Sequence, residues 1–186
     1  PVVRLLATNA ATNVDIALSP KGTGALTAQV PDNTTTGGTK RGANAVDWQM
    51  DRLTNTQVAS GINSTIGGGR QNTASGAFSV VSGGDYNRAS ANFSTVSGGY
   101  INAAGDVYAV VGGGQNNSAI GMYSTVSGGN SNGASGDYST VGGGMNNIAD
   151  GTYSVIPGGR GLTLSSTANY SFGFLGNSVA NDMIIS

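Results

Sequence analysis

Few side chains in this sequence are equipped for chemistry. Four aspartates, Asp85, Asp106, Asp137 and Asp150, lie in its central stretch, and two carboxyl groups flanking a glycosidic bond would make a polysaccharide hydrolase. They fall, however, at four different phases of a 15-residue repeat, so no two stand one rung apart. The chain has neither histidine nor cysteine, which removes the Ser-His-Asp triad, histidine and thiolate metal sites, and disulfides. Glycine runs such as Gly67-Gly68-Gly69 are not followed by a Lys-Ser/Thr pair, so they do not form a phosphate-binding loop. The period and the missing aspartates also exclude calcium-binding nonapeptides. A net charge of −1 supplies no basic field for nucleic acid or an anionic membrane, and no apolar run approaches a membrane span. We therefore expect no catalytic residue, no cofactor and no metal, and neither nucleic acid nor membrane as a partner.

Recognition is the chemistry left. Tyr86, Arg88 and Tyr100 sit on neighbouring repeats, where two aromatic rings and a guanidinium could hold a sugar; the plainer alternative makes them exposed turn residues. Tyr170, Phe172 and Phe174 offer a second patch near the C-terminus, with core packing at the end of the fold as its alternative. Asn-x-Ser/Thr triplets such as Asn92-Phe93-Ser94 are expected by chance in so Asn- and Ser-rich a chain and do not establish glycosylation.

The elements that must position these residues form a repeat. From residue 64 to 153 a 15-residue unit recurs six times without insertion or deletion. Counting from Ser64, the fifth and sixth places are always Gly-Gly. The ninth is always asparagine (Asn72, Asn87, Asn102, Asn117, Asn132, Asn147), the eleventh always alanine, and the fifteenth always aromatic. Fixed-period self-similarity of this kind signals a stacked solenoid, and disordered repeats have no reason to hold aromatic and β-branched residues at constant phase. Strand alternation puts the first and third places (Ser, Val/Ile) on one face and the fifteenth, second and fourth on the other. After the Gly-Gly corner, which needs positive φ or close backbone approach, a second strand puts Asn and Ala on one face. The expected fold is all-β, a parallel β-roll or β-helix whose six coils stack to about 29 Å. The asparagines should then form a ladder, bonded side chain to side chain. Inward residues this small leave the aromatic and Thr/Val face wet in a single copy. A closed ring of identical copies would bury it; three are expected, although the pattern itself does not set the number.

Three regions follow: an N-terminal β segment, linker and short connector over 1–58, the repeat block over 59–161, and a C-terminal β cap over 162–186. In the first, residues 2–7, 14–18 and 24–30 read as strands and residues 31–42 as a loop in which Lys40 and Arg41 are solvated. The apolar spacing of Ala45, Val46, Trp48, Met50 and Leu53 suggests a helical or irregular connector over 43–57.

The units resemble the head repeats of trimeric autotransporter adhesins, a left-handed parallel β-roll with a similar Ser-Val-x-Ile-Gly and Ala-x-Gly rhythm, although those coils are usually near fourteen residues and lack the doubled glycine of Gly83-Gly84. With Leu18-Ser19-Pro20-Lys21-Gly22-Thr23-Gly24 and Lys40-Arg41-Gly42-Ala43-Asn44-Ala45-Val46-Asp47 ahead of the repeats, the chain looks more like a bacteriophage tail-fibre segment over most of residues 14–175. The resemblance implies a homotrimer on the virion tail, joined to other fibre or tail proteins and attaching to a host-surface polysaccharide or glycan. A bacterial surface adhesin head and a tailspike polysaccharide depolymerase are the alternatives, and a purely structural spacer is a third. In similar fibres a C-terminal intramolecular chaperone trimerises the chain and cuts itself off after a serine. Ser186 would be that cut position, with an ordinary chain end as the alternative. Pro1 in place of an initiator Met likewise suggests a fragment or a processed chain.

Overall fold

In the computed structural model, which describes residues 26–27 and 29–173, the chain winds into a parallel β-solenoid. Expectations for residues 2–7 and 14–18, for Phe174 and for Ser186 lie outside the described residues. From Thr65 on, each coil contributes two strands of two residues. Leu26–Thr27, Val46–Asp47, Thr65–Ile66, Val80–Val81, Thr95–Val96, Val110–Val111, Thr125–Val126, Thr140–Val141 and Val155–Ile156 form one nine-stranded sheet. Thr73–Ala74, Arg88–Ala89, Ala103–Ala104, Ser118–Ala119, Gly133–Ala134, Ile148–Ala149 and Thr163–Leu164 form a second, seven-stranded sheet. Register is in steps of one repeat: Val80 pairs with Thr95, Thr95 with Val110, and Ala89 with Ala104.

The interior follows from side-chain volume. Third-place Ile66, Val81, Val96, Val111, Val126, Val141 and Ile156 from the first sheet are fully buried, as are the eleventh-place alanines from the second. A β-branched residue opposite an alanine fills a coil whose two sheets lie this close, and β-branched side chains suit the pleated surface. Serines at the first place and asparagines at the ninth complete the buried set. The inward assignment of Ser, Val, Asn and Ala therefore agrees with the structure.

Both turns of the coil use left-handed backbone. Eighth-place residues such as Tyr86 (φ 60°) and Ile101 (φ 56°), and every fifteenth-place aromatic from Phe78 (φ 59°) to Tyr153 (φ 58°), have positive φ. This conformation turns their N–H groups back to the preceding coil, so that Tyr86 N donates to Arg70 O at 3.2 Å and Tyr123 N to Val107 O at 3.0 Å. The sixth place has two reasons to be glycine. Gly99 has φ 89°, and a Cβ there would collide with the Gly114 carbonyl and the Asn102 amide.

The solenoid extends beyond the perfect repeats. Val46–Asp47 pairs with Thr65–Ile66 at an offset that leaves residues 52–58 as an expansion, because Asp51 bridges Arg70 while Ala59 already bridges Ala74. At the other end Thr163–Leu164 continues the second sheet, Leu162 and Leu164 pack on the core, and Val155 bridges Phe172.

Residues 43–57 hold no helix; Val46–Asp47 is a strand and the rest is irregular. Alternation with period two puts Ala45, Asp47 and Gln49 inside and Trp48 and Met50 outside. The helical option failed because the large apolar residues Trp48, Met50 and Leu53 are exposed. Apart from Ala45, the buried ones are polar and paired. Arg41, expected in solvent beside Lys40, is 3 % exposed, and its Nε donates to Asp47 Oδ2 at 2.8 Å. Arg52 Nη2 reaches the same oxygen at 3.3 Å and the Gln49 carbonyl at 2.9 Å. Gln49 N and Ala59 N also donate to this carboxylate, and Arg52 ties down the carbonyls of Thr36 and Gln57. Burial pushes the Arg41 guanidinium below its ordinary pKa, opposed by the charge of Asp47. Asp47 occupies the third place, where later coils have Val or Ile, so the apolar core gives way here to a paired polar cluster, one strand in from Leu26–Thr27. The loop of residues 31–42 is built as the sequence suggests: Asp32 Oδ1 accepts from Thr34 N, Thr34 Oγ1 and Gly37 N. These bonds to Thr34 hold its carboxyl below the usual range.

Removing Asp47 leaves two guanidinium groups in the interior without their carboxylate. Asp47→Ala should cost about 3–5 kcal/mol, read as a lower midpoint in urea unfolding followed by far-ultraviolet circular dichroism.

Candidate functional site

The asparagine column is the site residue set with the most developed geometry. It does not bond side chain to side chain. Each Oδ1 accepts the backbone N–H of the next asparagine one coil on, at 2.9 Å for Asn72 to Asn87 and 3.0 Å for Asn117 to Asn132. Each Nδ2 donates twice: Asn117 Nδ2 reaches Gly113 O at 2.9 Å and Gly129 O at 2.8 Å, and the other five asparagines repeat the pattern. The reason lies in the backbone. Tenth-place N–H groups bond the next coil, as Thr73 N does to Asn87 O. The ninth-place N–H points back into the interior, where a primary amide supplies its acceptor. Gln49 starts the column, its Oε1 accepting from Asn72 N at 2.8 Å, and Leu162 N ends it on Asn147 Oδ1 at 3.0 Å. An aspartate would keep the acceptor but aim a second oxygen at two carbonyls, which accounts for the absence of Asp from this place.

The proposed sugar-contacting residues lie on the outside of the corner next to this column. Tyr86 and Tyr100 are 38 % and 42 % exposed, and Arg88 begins the adjacent outer strand position with its side chain in solvent. Among the described residues Arg88 has no acidic partner within ion-pairing distance. Arg70, one coil before, is paired with Asp85 at 2.8 Å; this pair is open to solvent and worth about 0–1 kcal/mol. Tyr86 follows Asp85 directly, and Asp85 bridges Tyr100 on the next coil. Tyr86 and Tyr100 therefore stand at the same corner on adjacent coils, without ring stacking between them, and Arg88 lies two residues past Tyr86 at the start of the following strand. Tyr170 and Phe172 are elsewhere, five coils on, about 24 Å along the axis. Both are exposed, at 80 % and 62 %. Tyr170 does not pack into a core; its ring stacks on Tyr153 at 5.0 Å, continuing an aromatic stack.

That stack is the feature whose conformation sequence reading missed. Phe78, Phe93, Tyr108, Tyr123, Tyr138, Tyr153 and Tyr170 lie ring on ring, with centroids 4.7–5.1 Å apart and planes within 12° of parallel. Each offset pair contributes about 0.5–1.5 kcal/mol, which roughly offsets the left-handed backbone of a non-glycine residue at about 1–2 kcal/mol. The same place in the two preceding coils holds Asn44 (φ 57°) and Asn63 (φ 55°), a residue type at ease in that conformation.

Three of the four candidate aspartates take structural parts. Asp85 pairs with Arg70, Asp106 Oδ1 accepts from Val107 N, and Asp137 Oδ1 accepts from Met122 N one coil earlier.

Asn117→Asp tests the column. The introduced carboxylate faces the Gly113 and Gly129 carbonyls, so its neutral form is favoured and its folded-state pKa should lie above its unfolded one. We expect a loss of about 3 kcal/mol or more at neutral pH. The loss should shrink as pH falls through the raised pKa, where a protonated oxygen can donate again. Urea unfolding at neutral and mildly acid pH, beside Asn117→Ala, reads this directly. No protein-family model matches the chain, and no curated protein matches its sequence.

Proposed function

We propose that this chain is a segment of a homotrimeric phage tail fibre that positions a receptor-binding tip and itself contacts host-surface glycans. The observation that carries this reading is the contrast between a constant interior and free corners on one backbone. Seventh and eighth places accept Arg70-Gln71, Asp85-Tyr86, Tyr100-Ile101, Gln115-Asn116, Asn130-Ser131 and Met145-Asn146 while the register of the coils stays unchanged. A scaffold that tolerates any corner chemistry suits surface recognition. Its extended form suits a spacer between an attachment point and a tip.

The proposed contact is the corner of Tyr86, Arg88 and Tyr100, with Tyr170 and Phe172 as a second point toward the C-terminal end. Weak single sites repeated on three copies would act through avidity, so the mechanism is multivalent adsorption without a chemical step. Other fibre or tail proteins would hold the segment on the virion, outside any membrane.

Replacing Tyr86 and Tyr100 together by alanine tests the proposal. Both are exposed, so the variant should fold as the parent does, while binding to a glycan array and adsorption to host cells fall at least about tenfold through loss of the same contact in every copy. Unchanged adsorption would make the segment a spacer, and release of reducing ends from host polysaccharide would make it a depolymerase.

A further inference from the structure

We infer that the outer face carrying the aromatic stack is the surface through which copies of this chain associate, side by side, parallel and in register. The inference rests on the homo-oligomeric part of the proposed function and names the face that part requires. Three columns make the face: the fifteenth-place rings, the half-buried second-place Thr/Val column, and the small residues of the fourth place, headed by Trp48. None of the three holds a charge from residue 44 to 157; every charged residue of the repeats is at another place. The nearest, Asp137, has Oδ1 turned into a hydrogen bond with Met122 N at 3.0 Å.

The rings are not needed for the corner, because Asn44 and Asn63 make the same turn. Their stacking only offsets their backbone strain, yet they stand 41–49 % exposed from Phe78 to Tyr153. With strands about 4.8 Å apart and about 3.3 Å per residue, the face from Val46 to Val155 is about 34 Å by 13 Å. That strip of about 440 Å² is comparable to the largest patch on an ordinary monomer, which is often a functional one. Before side-chain relief is counted, it is about half of the ~800 Å² each partner contributes to a standard interface.

A second copy fits this face better than a sugar does. Sugars bind aromatic faces, and here each internal ring has both faces covered by its neighbours, leaving only edges outside. Edges spaced at the coil repeat match another solenoid of the same repeat. A rotation about an axis parallel to the solenoid brings like columns together rung for rung and closes the assembly.

Hydroxyl-radical footprinting of the intact protein, read residue by residue by mass spectrometry, tests this without a variant. Tyr123 and Tyr138 are 43 % and 42 % exposed in one chain, close to Tyr86 and Tyr100 at 38 % and 42 %. They should be oxidised several-fold more slowly if copies cover them; equal rates would overturn the inference. Light scattering adds a second arm with Thr125→Arg on this face and Ser118→Arg on the outer side of the second sheet. The first should dissociate to single chains and raise Tyr123 and Tyr138 labelling to that of Tyr86, whereas the second should keep the parental mass. Dissociation by Ser118→Arg alone, or protection that persists in single chains, would sink the interface and leave the fibre reading standing. A protected column on a protein that fails to adsorb to host cells would do the reverse.

Discussion

The structure depends on one unmet backbone donor per coil. A parallel solenoid pairs alternate N–H groups with the next turn, and at the ninth place the remaining N–H faces the buried interior. A buried donor left alone costs about 1–3 kcal/mol, and the penalty would recur at every coil. A primary amide is the group that removes it, because one end accepts and the other donates, and asparagine has the right reach. By holding the Gly113 and Gly129 carbonyls as well as the next backbone N–H, Asn117 joins its own glycine corner to that of the following coil. The column thus sets the geometry of the corner on which Tyr86 and Tyr100 stand.

Once that column is in place, the rest of the coil is a matter of size. A Val or Ile opposite an Ala leaves no room for a larger apolar core, so little apolar area is buried per residue within one chain. What the interior lacks is offered on the exterior: a charge-free face and a stack of rings. The recognition corner and the stacked face lie on different columns of the same coil. One presents side chains that change from coil to coil, the other a constant row of ring edges, and a side-by-side assembly would leave the first free while covering the second.

Ahead of the perfect repeats the interior changes character. The third place goes from Ile66 to Asp47, and two arginines enter the core to meet it. Gln49, with one more methylene than asparagine, starts the amide column from an irregular coil. This cluster was read from the sequence as a solvated loop followed by a connector that could be helical. Its residues carry the signature of a surface, since charge and amide groups usually face water, and only their mutual pairing makes burial tolerable.

The sequence by itself determined the period, the stacking of like residues, the inward set of Ser, Val, Asn and Ala, the glycine corner, and the absence of histidine and cysteine chemistry. All of these follow from residue type at fixed phase, which strand alternation converts into faces. Tertiary structure alone decided which atoms the asparagines bond, the left-handed turn at each ring, the stacking of Tyr170 on Tyr153, and the burial of Arg41 with Asp47 and Arg52. Each of these depends on an atom supplied by another part of the chain, a whole coil away for the amides and rings, and one-dimensional spacing does not specify the direction in which a donor or a ring face points.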